Sequence, residues 1–214
     1  MRKTILQILA FVFAASSVAM FAQAPKDGVF ISNEDVQAVL KRAADTKRTN
    51  PDNAIRVIDM GNYQLSVSVI HRGAMGGSPA ASANAAAAPA ANPSPACGEQ
   101  RPGATGPNGI LHDDTAETYI VTSGSATVVT GGTIVNGRRS AADNEVTTIL
   151  NGPSCSGVMV GFTSRDVKTG DIIVIPEGVP HGFSAIPDHV TYLSIRPDLK
   201  KVLQHGYVNP AIKK

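Results

Sequence analysis

A series of short apolar and β-branched runs, separated by turn residues, extends from residue 117 to residue 195 and limits what the chain can fold into. The runs expected to be strands are Thr118 to Thr122, Ala126 to Thr130, Val146 to Leu150, Val158 to Phe162, Ile172 to Ile175, Gly182 to Ala185 and Val190 to Ile195. Glycine, asparagine and proline lie between them. Many short strands with regularly spaced turns predict an all-β domain, either a β-sandwich or a closed barrel of the jelly-roll type.

A short amphipathic helix is expected before this region. Ser32 and the acidic residues after it resemble a helix N-terminus, and apolar residues recur with helical spacing from Val36 to Ala43. Two strands are predicted next, Ala54 to Met60 and Tyr63 to His71. The odd-numbered residues of the second strand share its more apolar face, so His71 is expected on the apolar side.

Residues 73–109 are rich in Ala, Pro, Gly and Ser and contain few large apolar side chains. Such a segment buries too little surface to offset the entropy of ordering it. We therefore expect a low-complexity, flexible insertion between strands of one domain. The predicted organisation is a signal peptide at 1–24, a helical lead-in at 25–53 and a barrel at 54–214 that contains the 73–109 insertion.

The N-terminus has the order of a secretory signal peptide. Arg2 and Lys3 precede an apolar run that is short for a membrane span, and small residues follow up to Ala24. Cleavage after Ala22 or Ala24 would leave a mature chain without a membrane span, exported to the periplasm or secreted. A retained anchor and a buried N-terminal helix are the alternatives.

Charge argues against a nucleic-acid partner. The whole chain has 19 Lys and Arg against 17 Asp and Glu, and removal of Arg2 and Lys3 leaves 17 of each. The longest basic clusters in the sequence are pairs such as Arg138-Arg139, which are expected on a solvated surface.

Cys97 and Cys155 are the two cysteines of the chain. In an exported protein, two thiols are expected to form one disulfide, which here would attach the end of the insertion to the barrel. A cysteine metal site is the alternative, although it requires ligands that are closer in sequence.

Two motifs about sixty residues apart carry the candidate chemistry. The first is Gly109-Ile110-Leu111-His112, followed by Glu117 and Gly124. The second is Gly170-Asp171 followed by Pro176-Glu177-Gly178-Val179-Pro180-His181. They place two imidazoles and one carboxylate beside different strands, and such a ligand set with open positions is a known transition-metal site.

This pair of motifs resembles the two signature motifs of the cupin superfamily. The resemblance implies a jelly-roll, or double-stranded β-helix, barrel with one divalent metal ion inside, such as Mn, Fe, Ni or Zn. It implies His112, Glu117 and His181 as ligands, and Gly124 as the residue that closes a hairpin. Ile110 stands where the first histidine of the motif would be, so the ligand set is reduced.

Four residues are further candidates for a ligand or for the pocket. His71 and Asp114 are possible substitutes for the absent histidine, although His71 is more simply a histidine at the edge of the core. Tyr119 and Phe183 share strand parity with Glu117 and His181 and are expected in the same cavity, where either could be an ordinary core residue.

The expected function is that of an exported metal-binding cupin whose pocket binds a small oxygen-bearing molecule. With turnover it would be a metal-assisted enzyme of the dioxygenase or isomerase type. The alternatives are a non-catalytic module that binds a small molecule or metal, and a structural β-sandwich without metal. No catalytic residue is assigned from the sequence, and homodimerisation stays open.

Overall fold

The computed structural model describes residues 24–76 and 94–212. In these two ranges the elements are α1 (Asn33–Asp45), β1 (Asp52–Asp59), β2 (Gln64–Met75), β3 (Ala96–Cys97), β4 (Asn108–His112), β5 (Glu117–Thr130), β6 (Thr133–Arg139), a π-helix (Val146–Leu150), β7 (Ser154–Val160), β8 (Thr163–Lys168), β9 (Ile172–Ile175) and β10 (His181–Asp198).

Two long, bent strands organise the barrel. In one sheet the strand order is β1-β2-β10-β5-β9. In the other sheet the order is β8-β5-β10-β4-β7-β6-β3. All of these pairs are antiparallel. Because β5 and β10 belong to both sheets, the sheets join into one jelly-roll, or double-stranded β-helix, as the sequence predicts.

Both long strands were expected as pairs of shorter strands. β5 is continuous through Gly124, so the expectation that this glycine closes a hairpin is wrong. Gly124 has φ +77°, and a Cβ there would lie 2.0 Å from the carbonyl oxygen of His189 on β10. The residue therefore allows the two strands to approach closely where the register between them shifts.

Among the described residues the apolar side chains form three clusters, of which one is the core inside the barrel, one is a core outside it, and one surrounds the disulfide. Ile70, Tyr119, Phe183 and Tyr192 belong to the inner core. The outer core lies beneath α1, which begins with a capping box between Ser32 and Asp35 and buries Val39.

The position of β2 between these two cores corrects the prediction for His71. Val67 and Val69 on the apolar face pack in the outer core, whereas Ser66 and Ser68 on the polar face are fully buried on the opposite side, where Ser68 bonds Arg196. His71 shares the face of Val69 and is exposed. The prediction that His71 shares a face with Val69 is confirmed. That face lies outside the barrel, because α1 packs against it.

Residues 146–150 form a π-helix and not the predicted strand. Val146 accepts hydrogen bonds from the amides of Asn151 (2.8 Å) and Gly152 (3.1 Å), while Asn144 caps the preceding turn through its side chain and carbonyl. The β-branched residues suggested a strand, but local hydrogen bonding by Asn144 competes with sheet pairing.

The ends of the predicted 73–109 insertion contain secondary structure. β2 continues to Met75, while β3 and β4 lie between residues 94 and 112. Cys97 and Cys155 form a disulfide that links this region to β7. The middle of the insertion, residues 77–93, lies outside the described ranges, as does nearly all of the predicted signal peptide. Among the helices that the structure describes, none has the length and apolar character needed to cross a membrane.

Candidate metal centre

Three strand ends bring the two motifs together inside the barrel. His112 ends β4, Glu117 begins β5 and His181 begins β10. One potential ligand atom from each residue lies within 4.8 Å of the other two. The three residues are 2 %, 1 % and 3 % exposed, respectively. The structure therefore places the three predicted ligands in one buried cluster.

The hydrogen bonds of His112 define its tautomer. The hydroxyl of Ser154 donates to the carbonyl of Gly152 (2.8 Å) and can therefore accept from Nδ1 of His112, which lies 2.8 Å away. Burial lowers the pKa of His112, which keeps the ring neutral. Its Nε2 consequently carries a lone pair, which is directed toward the cluster and accepts from Nδ2 of Asn151 at 2.9 Å.

His181 has an unsatisfied nitrogen in the same cluster. Its Nδ1 lies 3.0 Å from the carbonyl oxygen of Val179, which can only accept, so Nδ1 carries a proton. Nε2 lies 2.9 Å from Oε2 of Glu117, yet it is not aligned for a hydrogen bond with any atom of the described chain. The two atoms are therefore close, but Nε2 has no hydrogen-bond partner in the described chain.

The two oxygens of Glu117 have different surroundings. Oε1 accepts from Arg196, from the hydroxyl of Ser194 (3.1 Å) and from Nδ2 of Asn151 (3.2 Å). Oε2 accepts from the hydroxyl of Tyr119 (2.7 Å) and faces the Nε2 atoms of both histidines. A metal ion held by this carboxylate would therefore bind Oε2.

Arg196 is the cation that makes the buried carboxylate tolerable. It is 1 % exposed and bonds Asp52 as well as Glu117, with further bonds to Ser68 and the carbonyl of Leu150. Burial by itself would raise the pKa of Glu117, but the charge of Arg196 and the contacts with His112 hold that pKa well below its usual value. Glu117 is thus ionised before any metal binds.

The residues considered as substitutes for the absent histidine lie elsewhere. Asp114 pairs with Lys200 on the surface. His71 bonds Thr191 at 2.9 Å on the outer face of β2. Ile110 shares strand parity with His112 and pairs in register with His181, so the position of the missing ligand is beside the cluster.

Tyr119 and Phe183 lie in the inner core, where the parity of their strands placed them. Tyr119 touches the cluster directly through its hydroxyl, and its ring is 6.0 Å from that of His181. Burial and the charge of Glu117 raise the pKa of Tyr119 well above its usual value, so it stays a hydrogen-bond donor. Phe183 contacts the ring of Tyr192 instead, at 5.7 Å between centroids.

The sequence analysis does not identify four polar residues that contact the candidate ligands: Asn151, Ser154, Ser194 and Arg196. Asn151 precedes Gly152 and Pro153, a sequence typical of a turn, and nothing in that pattern distinguishes a side chain that faces inward. Arg196 offered a signal, since a cation at the end of an apolar strand can pair with a buried carboxylate.

The donor set fits a divalent transition ion. A neutral His112 and a neutral His181 would offer two nitrogen lone pairs beside a carboxylate oxygen. An acceptor nitrogen 2.9 Å from a carboxylate oxygen is repelled unless a proton or a cation lies between them. The orphaned Nε2 of His181 is therefore the observation that favours a bound cation.

Comparisons with solved structures find proteins of similar fold and low sequence identity. BH2720 of Bacillus halodurans is 15% identical, with 87% of this chain and 92% of that chain covered and a TM-score of 0.39. A conserved Klebsiella pneumoniae protein with a double-stranded β-helix domain is 16% identical over 71% of this chain and 79% of its own, with a TM-score of 0.32. An oxalate oxidase is 14% identical, with 92% of this chain and 69% of that chain covered and a TM-score of 0.34.

These identities are too low to transfer an activity to this chain. No protein-family model matches the sequence, and no curated protein matches it either. The fold assignment therefore rests on the molecule itself: two antiparallel sheets share β5 and β10, and both motifs meet inside the barrel. The chain has the double-stranded β-helix fold, and its two motifs resemble the signature motifs of the cupin superfamily.

Proposed function

We propose that the protein is an exported cupin that binds one divalent transition ion through His112, Glu117 and His181, and a small oxygen-bearing molecule beside it. The observation that carries the proposal is the buried Nε2 of His181, which lacks a hydrogen-bond partner in the described chain while it faces a carboxylate oxygen. When bound, such an ion supplies Lewis acidity or redox chemistry.

The surrounding residues prepare the site for this role. Arg196 and Ser194 hold Oε1 of Glu117, which fixes the direction of Oε2. Ser154 fixes the tautomer of His112 in the same way that partners behind metal ligands usually do. Tyr119 keeps its proton and donates a hydrogen bond to Oε2, so its hydroxyl lies at the boundary between the cluster and the inner core.

The position of Arg72 favours an anionic ligand, such as a carboxylate, as the oxygen-bearing molecule. It shares the inward face of β2 with Ile70, and its guanidinium lies 5.3 Å from the centroid of the Phe183 ring. Among the described residues its one side-chain hydrogen bond is to Tyr192, is long at 3.4 Å, and is not accompanied by an ion pair with a carboxylate. A guanidinium with free donors suits a carboxylate, which it can bind through two hydrogen bonds.

Metal uptake by the purified protein tests the proposal. After treatment with a chelator, the wild type should bind about one equivalent of Mn, Fe(II), Ni or Zn, measured by elemental analysis after gel filtration. His112→Ala and His181→Ala should each lose most of that metal, whereas His71→Ala should retain it, because His71 lies on the outer face. A wild type that takes up none of these ions would make the metal-free β-sandwich the better account.

Turnover separates an enzyme from a binding module. The metal-loaded protein should be incubated with a panel of small carboxylic acids, sugars and phenolic compounds, with binding and conversion measured in parallel. Conversion that is lost in His181→Ala supports the dioxygenase or isomerase class, and binding without conversion supports the module. Arg72→Gln should weaken the binding of the carboxylic acids far more than the binding of neutral compounds.

Export is part of the proposal and needs its own test. The motivation is the order of Arg2, Lys3, the apolar run and the small residues up to Ala24. Fractionation of expressing cells and N-terminal sequencing should find a shortened chain outside the cytoplasm. Full-length protein confined to the cytoplasm would contradict export without affecting the metal centre.

A further inference from the structure

The side-chain amide of Asn151 contacts the candidate metal centre. Its Nδ2 is 2.9 Å from Nε2 of His112 and 3.2 Å from Oε1 of Glu117, so one NH₂ group contacts two of the three proposed ligands. Asn151 is 6 % exposed and lies in the turn that follows the π-helix. A π-helix beside a site of this kind is often associated with function.

The segment that carries Asn151 is anchored on both sides. The carbonyl of Leu150 accepts from Arg196 at 3.1 Å, and the carbonyl of Thr148 accepts from the amide of Gln204 at 2.7 Å. The amide of Asn151 itself bonds the carbonyl of Val146. Because the backbone is held in this way, the freedom that remains for Asn151 is rotation of its side-chain amide.

The orientation of that amide follows from its neighbours. His112 presents a lone pair at Nε2, which requires a donor, and Oε1 of Glu117 is an acceptor as well. The amide nitrogen must therefore face the cluster while no cation is present. A cation between the ligands reverses this requirement, because His112 then uses its lone pair for the cation and a donor directed there is repelled.

We propose that Asn151 is the fourth protein ligand of the metal centre and replaces the histidine that is absent at Ile110. A half turn of the side-chain amide exchanges Nδ2 for Oδ1 and presents a carbonyl oxygen to the ion. In the metal-free protein the same amide caps His112 and Glu117 and keeps the cluster assembled. This inference rests on the proposed metal-binding function and specifies its ligand set.

Cobalt(II) binding by the full-length protein tests this inference, because the absorption spectrum of the ion reports its coordination. The variants are Asn151→Ala, which removes the oxygen, and Asn151→Asp, which keeps an oxygen at the same place and adds charge. Asn209→Ala is the matched control. Asn209 is a similarly buried asparagine, 8 % exposed, that bonds the carbonyl of Ala54 away from the cluster.

Asn151→Ala should weaken cobalt binding by about tenfold to a hundredfold, the range typical of lost groups around a metal, and should change the visible spectrum. Asn151→Asp should bind at least as tightly as the wild type, whereas Asn209→Ala should match the wild type in both measurements. Should Asn151→Ala fail to fold, the result for Asn151→Asp decides, and weaker binding by that variant overturns the inference.

Two outcomes would separate this inference from the proposed function. If Asn151→Ala binds cobalt as tightly as the wild type, or more tightly, with an unchanged spectrum, Asn151 is only a cap that the ion displaces. The three-residue metal centre then stands without it. If the wild type binds no cobalt, the proposed function fails together with the fourth ligand.

Discussion

Arg196 donates from Nε to Oε1 of Glu117, and each of these residues is 1 % exposed. A buried ion pair of this kind contributes little net stability relative to a well-packed apolar pair, but the loss of one partner leaves the other charge buried and unpaired. The pair is therefore a condition for the metal centre, because it allows an ionised carboxylate to exist inside the barrel.

Replacement of Arg196 by Met should lower the free energy of unfolding by about 3–5 kcal/mol, since Glu117 would then be buried without a cation. Urea denaturation of the metal-free protein measures this. Lys41→Ala is the control and should change little, because its ion pair with Asp45 is exposed. The double variant E117Q/R196M should lose less than the sum of the two single losses. A near-neutral effect of R196M would contradict the structure of this pair.

Acid should destabilise the metal-free protein in two steps. Burial lowers the pKa of His112 below the usual 6.5, so the unfolded chain binds a proton below about pH 6.5 while the folded chain does not. Glu117 acts in the same direction below about pH 4.5, because its pKa is held well below that value in the folded state. Each proton contributes a slope of at most about 1.4 kcal/mol per pH unit.

Urea denaturation of the metal-free protein at pH values from 4 to 8 measures both steps. His112→Gln should reduce the loss of stability between pH 6.5 and 4.5. It should leave unchanged the further loss below pH 4.5 that is due to Glu117. A decline between pH 6.5 and 4.5 that is the same in His112→Gln as in the wild type would contradict the lowered pKa of His112.

Alanine substitutions at two glycines should distinguish the cost of a left-handed backbone from the cost of a steric clash. Gly124 and Gly131 have φ values of +77° and +79°, but a Cβ meets the carbonyl of His189 at the first position and nothing within 4 Å at the second. Gly131→Ala should cost about 1–2 kcal/mol for the left-handed conformation. Gly124→Ala should cost about 1–3 kcal/mol more, because the strands must move apart. Equal losses in thermal denaturation would contradict the close approach of β5 and β10.

The disulfide between Cys97 and Cys155 should stabilise the barrel. It closes a loop with a sequence separation of 58, and loss of such a cross-link is expected to cost about 2–4 kcal/mol. The double variant C97A/C155A should therefore denature at lower urea concentration than the oxidised wild type. Thiol labelling without a reductant is the accompanying check, and two free thiols in the native protein would show that the bond does not form.

Strand periodicity and motif spacing predicted much of the barrel and the three central residues of the cluster. β9 coincides with the run Ile172 to Ile175, and α1 begins directly after Ser32. These features depend on near neighbours in the chain, whose side-chain period and turn residues are visible in the sequence. His112, Glu117 and His181 were found because each lies beside a strand end whose motif could be read locally.

The sequence alone determined that this chain forms an all-β domain with two imidazoles and a carboxylate at strand ends, because alternation and turn chemistry are local properties. Only the tertiary structure decided which face of β2 is the inside, since α1 covers the apolar face and Arg196 occupies the polar one. It also decided that Asn151 enters the site and His71 does not. Those outcomes depend on burial between residues far apart in sequence, where the cost of an unpaired charge determines which side chains meet.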